Sequence, residues 1–540
     1  MARMFVARRI HTMDPVRPVA DRVLVSDDGR ILAVGTESEM ADWGEFTRDD
    51  RFADSILMPG LVEGHSHLME GSVWQYLYLG HYDRVRPDGS VAKGARNLEE
   101  VTARLREWAA GRPEGPIVAW GFDPLFIDGP RTTRLDLDNA IPDRPVVLLH
   151  SNMHLLTANS AALALAGYDQ STDVPGVLKA EDGTLHGELH EMGAMFPVMR
   201  RTGATFRDLS ISHEGLANFA MAAQSAGVTS ATDLVSELSD DQLSLLQRAT
   251  GHADYPVRIV PMLAAHTAPP EDLARRAVWL RDQGHERLHL GGVKIVTDGS
   301  IQGFTAQLRW PGYYRGADNG FWNIGPEALD QLVAELHRAG VQMHIHVNGD
   351  AASEAALNAI EKALLVANRP DHRHTLQHCQ LADAAQFRRM AQLGCGVNLF
   401  ANHLYYFGDK HYEVTVGPDR ANRMNACRTA LDQGVPLAIH SDAPITPLAP
   451  FFTAWCAETR QTENGRILGE HERLTRAEVL HAITLGAAYS LRLDHEVGSI
   501  EVGKRADFAV LDDDPFEIGD LRNIRVRGTV LGGRTANPPA

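Results

Sequence analysis

The segment Gly60-Leu61-Val62-Glu63-Gly64-His65-Ser66-His67 constrains this chain more than any other. It ends an apolar run that begins at Ser55, and it places two histidines two residues apart. Side chains two apart on a strand point the same way, so both imidazoles can face one metal ion. Surface histidine pairs are common, and this one gains weight from the rest of the chain. Three later strand-like runs, 343–346, 375–378 and 437–442, end in His346, His378 and His440-Ser441-Asp442. A fourth, 292–298, carries Lys294. Such residues at several strand ends are what a (β/α)8 barrel offers at its C-terminal face.

The spacing of apolar runs supports that architecture. Strand candidates lie at 227–233, 257–264, 291–297, 341–347, 374–379, 394–399 and 435–441, with helical patterns such as 327–339 and 351–367 between them. With the run at 55–63 they make eight strands. Alternating strand and helix signals predict a parallel sheet, here a distorted (β/α)8 TIM barrel over about 57–490. Both ends are β-rich. Residues 22–25 and 30–34 flank the turn Ser26-Asp27-Asp28-Gly29, and 498–511 and 526–531 read as strands and turns. Residues 1–56 and 491–540 are therefore expected to form one small β-sandwich. Residues 70 to about 215 are too long for a single connection and predict an inserted subdomain over the barrel mouth.

Charge and cysteine content narrow the function. A formal charge of −18 speaks against nucleic-acid or anionic-membrane partners. The N-terminus lacks a long apolar segment, and no apolar stretch approaches ~18 residues. Cys379, Cys395, Cys427 and Cys456 form no CxxC pair, which fits a reducing cytoplasm. The expected partner is a small-molecule substrate, with a homodimer left open. Only six of the 52 basic residues are lysines. A lysine kept inside an apolar strand therefore asks for a reason that arginine cannot meet. Burial favours its neutral amine, the form that reacts with CO2.

Taken together, these residues resemble the amidohydrolase superfamily, and within it the third amidohydrolase family, which includes N-substituted formamide deformylases. The likeness covers nearly the whole chain. It runs through Met58-Pro59-Gly60-Leu61-Val62 with His65 and His67, Asn159-Ser160-Ala161-Ala162-Leu163, and Gly227-Val228-Thr229-Ser230-Ala231-Thr232-Asp233. It continues in Val293-Lys294-Ile295 with Asp298-Gly299-Ser300, in His346-Val347-Asn348-Gly349-Asp350 and in His378. Ser441-Asp442-Ala443-Pro444 and Gly503-Lys504-Arg505-Ala506-Asp507 complete it. The resemblance implies that His65, His67 and Asp442 hold one metal and that His346 and His378 hold a second. Lys294, as a carbamate, would bridge them. Imidazole and carboxylate suit Zn2+, one or two per chain, or another divalent transition metal. The implied reaction is hydrolysis of an amide-type C–N bond (N-formyl, N-acyl or cyclic amide) by a metal-activated hydroxide, with Asp442 as proton shuttle.

Some choices stay open at this level. His344 lies on the same strand face as His346 and competes for its role. Lys294 has the alternative of binding substrate as a free amine. Gln377 stands where many relatives carry an acidic residue, which would alter support for His378. His154, His403, Trp120 and Phe122 are candidate substrate contacts, with Trp74, Phe126 and Trp310 as further aromatic candidates. Asp298 and Asp350 either position ligands or cap helices. The rival functions are an aminohydrolase (deaminase), against which Lys294 speaks, and a lactone or ester hydrolase using the same site. A barrel that has lost its metal is opposed by the complete ligand set.

Overall fold

The computed structural model describes residues 1–40 and 43–536. Eight parallel strands follow one another in chain order: Leu61–Glu63, Val228–Ser236, Arg258–Ala264, Gly292–Val296, Met343–Val347, Thr375–His378, Gly396–Leu399 and Leu437–Ile439. The sheet meets itself between the segments that follow the first and eighth strands. There Ser66 bridges Ala443 in parallel, and the Asp442 N–H donates to the His65 carbonyl at 3.0 Å. Strands covered on both faces are apolar throughout rather than alternating; the third is buried at every position. Helices cover the outside. Pro326–Arg338 starts on a proline, which gives up no needed N–H there, and buries Leu329, Val333 and Leu336 at helical spacing.

The expected strand at 55–63 is two strands. Phe46–Pro59 belongs to another sheet, and Leu61–Glu63 opens the barrel. Gly60 is the joint. A Cβ there would stand 2.0 Å from the Thr229 hydroxyl oxygen, so only glycine lets the chain pass this close to the second barrel strand.

The chain ends share a sheet. Its seven strands order as Arg534–Ala536, Val526–Leu531, Phe508–Leu511, Phe46–Pro59, Ala2–His11, Val19–Val25 and Ile31–Gly35. Where the sequence leads one to expect a sandwich, the hydrogen bonds describe one continuous mixed sheet. Asp507 locks it to the barrel. Its carboxylate accepts from the buried Arg258 guanidinium at 2.7 Å, and its carbonyl accepts from Gly60 N–H at 2.9 Å.

Between the first and second barrel strands lies a six-stranded sheet ordered Val177–Lys179, Leu185–His190, Leu155–Ala158, Val146–His150, Ile117–Phe122 and Leu77–Tyr78. Helix Leu98–Ala110 is capped by Asn97, whose side chain accepts from the Glu100 N–H. This insert has apolar clusters of its own. It reaches the barrel mouth through Met153, His154 and helix Glu191–Thr202.

Candidate metal centre

A cavity of about 660 Å3 lies between the barrel's C-terminal end and the insert. His65, His67, Lys294, His346, His378 and Asp442 all line it. They come from the ends of the first, fourth, fifth, sixth and eighth strands. The Asp442 carboxylate Oδ1 lies 3.1 Å from His67 Nε2 and 3.3 Å from His65 Nε2. His378 Nδ1 is 3.8 Å from Asp442 Oδ2. Lys294, 2% exposed, places Nζ 3.5 Å from His65 Nε2.

Donor atoms close enough to share one ion form two groups among the described residues. One is His65, His67 and Asp442; the other is His65, His378 and His440. His346 stands beside them, its ring 4.5 Å from that of His378. Its Nε2 donates to the Gly299 carbonyl at 3.2 Å, which leaves Nδ1 as the lone-pair nitrogen. His67 Nδ1, His378 Nδ1 and both nitrogens of His440 are buried with no hydrogen-bond partner. Each such orphan costs roughly 1–3 kcal/mol unless something binds it. A compact set of imidazoles and a carboxylate, partly unsatisfied, is the donor set a divalent transition metal takes.

Burial supplies the neutral form. It pushes His65, His346 and His378 well below 6.5, and neighbouring Lys294 and histidines add to the effect. Burial alone would raise Asp442, but its hydrogen bond and charge interaction with His67, aided by His440 and Lys294, hold it below 3.8. The carboxylate is therefore ionised.

A relay of hydrogen bonds sets the His65 tautomer. His344 Nε2 donates to the Ser490 carbonyl at 3.0 Å, so its Nδ1 accepts from Gln377 Nε2 at 2.7 Å. Gln377 Oε1 then accepts from His65 Nδ1 at 2.7 Å, which frees His65 Nε2 for the cavity. Two expectations bear on this relay. His344 has both nitrogens committed and does not line the cavity. Gln377 supports His65, not His378, because its side chain points into the barrel between the first and fifth strands.

Residues 53–536 match the sequence profile described as "Amidohydrolase family". The chain belongs to the amidohydrolase family. N-substituted formamide deformylase of Arthrobacter pascens is 28% identical, the match covering 98% of this chain and 97% of that protein. Protein LONG AFTER FAR-RED 3 of Arabidopsis thaliana is 26% identical, over 98% and 90%. An uncharacterized metal-dependent hydrolase from Pyrococcus horikoshii shares the fold, with TM-score 0.72 at 21% identity, over 97% of this chain and 99% of that one.

In this amidohydrolase the expected substrate contacts divide. His154 lines the cavity, its ring 5.2 Å from that of His346 and its Nδ1 2.9 Å from Glu191 Oε2. Burial alone would lower its pKa, but the charge and hydrogen bond of Glu191, with the charges of Asp298 and Asp442, together raise it. His403 does not reach the cavity. It is fully buried, stacked on Phe400 at 4.4 Å, with Nδ1 3.3 Å from His411 Nε2. Phe122 lies in the insert's core. Trp120 lines a separate small cleft with Tyr78 and Arg84. Asp298 ties the segment after the fourth strand to the one after the fifth. Its carboxylate accepts from the Asn348, Gly349 and Gln307 N–H groups at 2.8–3.0 Å, and burial lifts it to about 7. Asp350 accepts from the Arg309 N–H.

Three residues carry no role in the sequence reading. His440 stacks between His65 and Phe400 at 4.6 and 4.7 Å. Glu63, pushed up to about 8 by burial, accepts from Ser441 N–H and hydroxyl and joins the first strand to the eighth. Glu191 is the acidic partner of His154. A signal for Glu191 exists in the backbone. Met153, Glu191, Val235, His378 and Asp442 all line the cavity with positive φ, between 55° and 94°. Non-glycine residues in that region cost roughly 1–3 kcal/mol each and gather at functional sites.

Proposed function

We propose that this amidohydrolase hydrolyses a non-peptide amide-type C–N bond, in an N-formyl, N-acyl or cyclic amide. The observation that carries the reading is the convergence of His65, His67, Lys294, His346, His378 and Asp442 on one cavity at the C-terminal end of the barrel. On this reading His65, His67 and Asp442 would hold one Zn2+, and His346 and His378 a second, with Lys294 as a carbamate serving as a further ligand. When bound, the metal lowers the pKa of water and polarises the substrate carbonyl.

The protein's own groups do the rest. Asp442, ionised and held by His67, takes the proton of the attacking water at its carboxylate and delivers it to the leaving nitrogen. His154, oriented through Nδ1 by Glu191, presents Nε2 toward the substrate from the opposite wall. Gln377 keeps His65 in the tautomer that offers Nε2. The terminal sheet bears on the barrel through Asp507 and Arg258, away from this face.

The test is a panel of N-formyl, N-acetyl and cyclic amides alongside matching esters and lactones, assayed with Zn2+-loaded protein. Amide cleavage supports the reading; cleavage of esters or lactones with every amide untouched sinks it. Elemental analysis of Lys294→Ala addresses the bridge. Bound metal should fall, and an unchanged two ions per chain would remove Lys294 from the metal set.

A further inference from the structure

The cavity has a second wall that the proposed chemistry does not use. Helix Glu191–Thr202 has two faces. Ala194, Met195 and Val198 pack into the insert's own core. Met192, Gly193, Phe196 and Pro197, spaced one turn apart, line the cavity. Ile324 and Leu332, from the barrel side, line it as well. Gly193 faces open space, for a Cβ built there meets no atom within 4 Å. Of 46 arginines in the chain, which leaves six lysines among 52 basic residues, none is among the described residues lining this cavity.

We propose that this helix face receives a bulky, uncharged apolar arm of the substrate, and that Gly193 sets how large the arm can be. This rests on the amide reading above and names the substrate class within it. Three observations carry it. The wall formed by Met192, Phe196, Pro197, Ile324 and Leu332 is apolar, and the carboxylate that adjoins it, Glu191, is engaged by His154 and Asn323. The volume of about 660 Å3 is within the range of sites that enclose a drug-sized molecule and far exceeds what an amide group alone fills. No guanidinium waits for a substrate carboxylate, although arginine is the ordinary cation of this chain. The reacting amide then lies between His154 and the histidine cluster, and the arm points along Met192 and Phe196.

Two measurements test this. In the first, kcat/KM is compared for N-methyl, N-butyl and N-benzyl amides and for an N-carboxyalkyl amide of matching length. The benzyl compound should exceed the methyl by roughly 100-fold, since a single methylene in such a pocket is worth about 10–200-fold. Gly193→Leu should reduce that ratio at least about tenfold, with Gly193→Ala between it and the native protein. In the second, 4-phenyl-2-butanone, which has CH2 in place of the amide nitrogen and no C–N bond to cleave, is titrated into the full-length protein by calorimetry. It should bind with a negative heat-capacity change, and Gly193→Leu should weaken it at least about tenfold. Ketone binding that responds to Gly193, with every amide left intact, upholds the apolar arm and rejects the amide reading. Amide turnover that ignores arm size, or prefers the carboxylate-bearing arm, overturns the proposal and leaves the amide reading standing. Circular dichroism of both variants confirms that they fold.

Discussion

At the N-terminal end of the barrel, His337, His372 and His374 are buried as deeply as the histidines at the C-terminal end, yet every ring nitrogen has a partner. His337 Nε2 donates to the Ala367 carbonyl at 2.7 Å, so its Nδ1 accepts from His374 Nε2 at 2.9 Å. His374 Nδ1 accepts from the Met343 N–H, and His372 lies between the His374 N–H and the Leu393 carbonyl. At the other end, His67 Nδ1, His378 Nδ1 and both nitrogens of His440 have none. The residue type and burial are alike; the satisfaction is not. A saturated imidazole cluster braces the loops between helices and strands. An unsaturated one spends stability to keep lone pairs available. The contrast separates scaffold from site in a barrel whose active end is the C-terminal one.

The largest effect that sharpens this comparison is at Asp442. Asp442→Asn should lower kcat by roughly 10²–10⁴-fold with the fold intact, because the proton acceptor is gone. Steady-state assay on whichever amide proves to be cleaved, with metal content measured in parallel, checks it. A loss below about tenfold would place the proton shuttle elsewhere.

Metal affinity tests the upper cluster directly. His65→Ala should weaken binding by more than the roughly 10–100-fold expected when only a supporting partner such as Gln377 is lost, as in Gln377→Leu. Competition with a chelator gives both numbers. Native affinity in Gln377→Leu would mean that the relay from Ser490 through His344 and Gln377 does not serve the site.

The lower cluster should answer in stability instead. His374→Ala removes two ring bonds and leaves the Met343 N–H unpaired, at a cost of about 2–4 kcal/mol in denaturant unfolding, with the metal content of the folded fraction unchanged. Loss of metal without loss of stability would erase the distinction between the two ends.

Acid should act through the same residues. Burial, with the charges of His372 and His337, holds His374 well below 6.5. The unfolded chain therefore binds the extra proton once pH falls under about 6.5, and stability declines as pH falls further. From His374 the slope is about 1.4 kcal/mol per pH unit. Above pH 6.5 this contribution vanishes. Melting curves at pH 7.5, 6 and 5 should show a steeper decline in the native protein than in His374→Ala, and identical slopes would refute the assignment.

The smallest effect lies on the insert wall. Gly193→Ala should stabilise the protein by less than about 1 kcal/mol, the full helix-interior difference between glycine and alanine, since Gly193 lies in the first turn and the added methyl meets open space. Destabilisation in a thermal melt would show that the helix face is closed rather than free.

Much of the barrel was legible in the chain. The eight strand segments at 61–63, 228–236, 258–264, 292–296, 343–347, 375–378, 396–399 and 437–439 all fall on apolar runs read from the sequence, because strands buried on both faces write themselves as continuous hydrophobic stretches. The break at Gly60 was not legible, since two strands in different sheets are as apolar as one. His440 stands at the end of an apolar run, but two residues before Asp442 it carries no motif that assigns it a role of its own. Glu191 lies in the insert between the first barrel strand, which ends at Glu63, and the second, which starts at Val228, in a segment with no periodic signal pointing at the barrel.

By itself, the sequence determined the repeating strand and helix pattern, the family, and which histidines, lysine and aspartate sit at strand ends. Those follow from local periodicity and from residue types that recur at fixed offsets. Only the tertiary structure decided that His346 rather than His344 faces the cavity, that Gln377 orients His65, and that His154 is paired with Glu191. It also decided that His403 and Phe122 are packed away and that one face of helix Glu191–Thr202 looks into the site. Each of these depends on the register of strands or the rotation of a helix against a partner far along the chain. That information is carried by packing and by hydrogen bonds between distant segments, and no single stretch of sequence contains it.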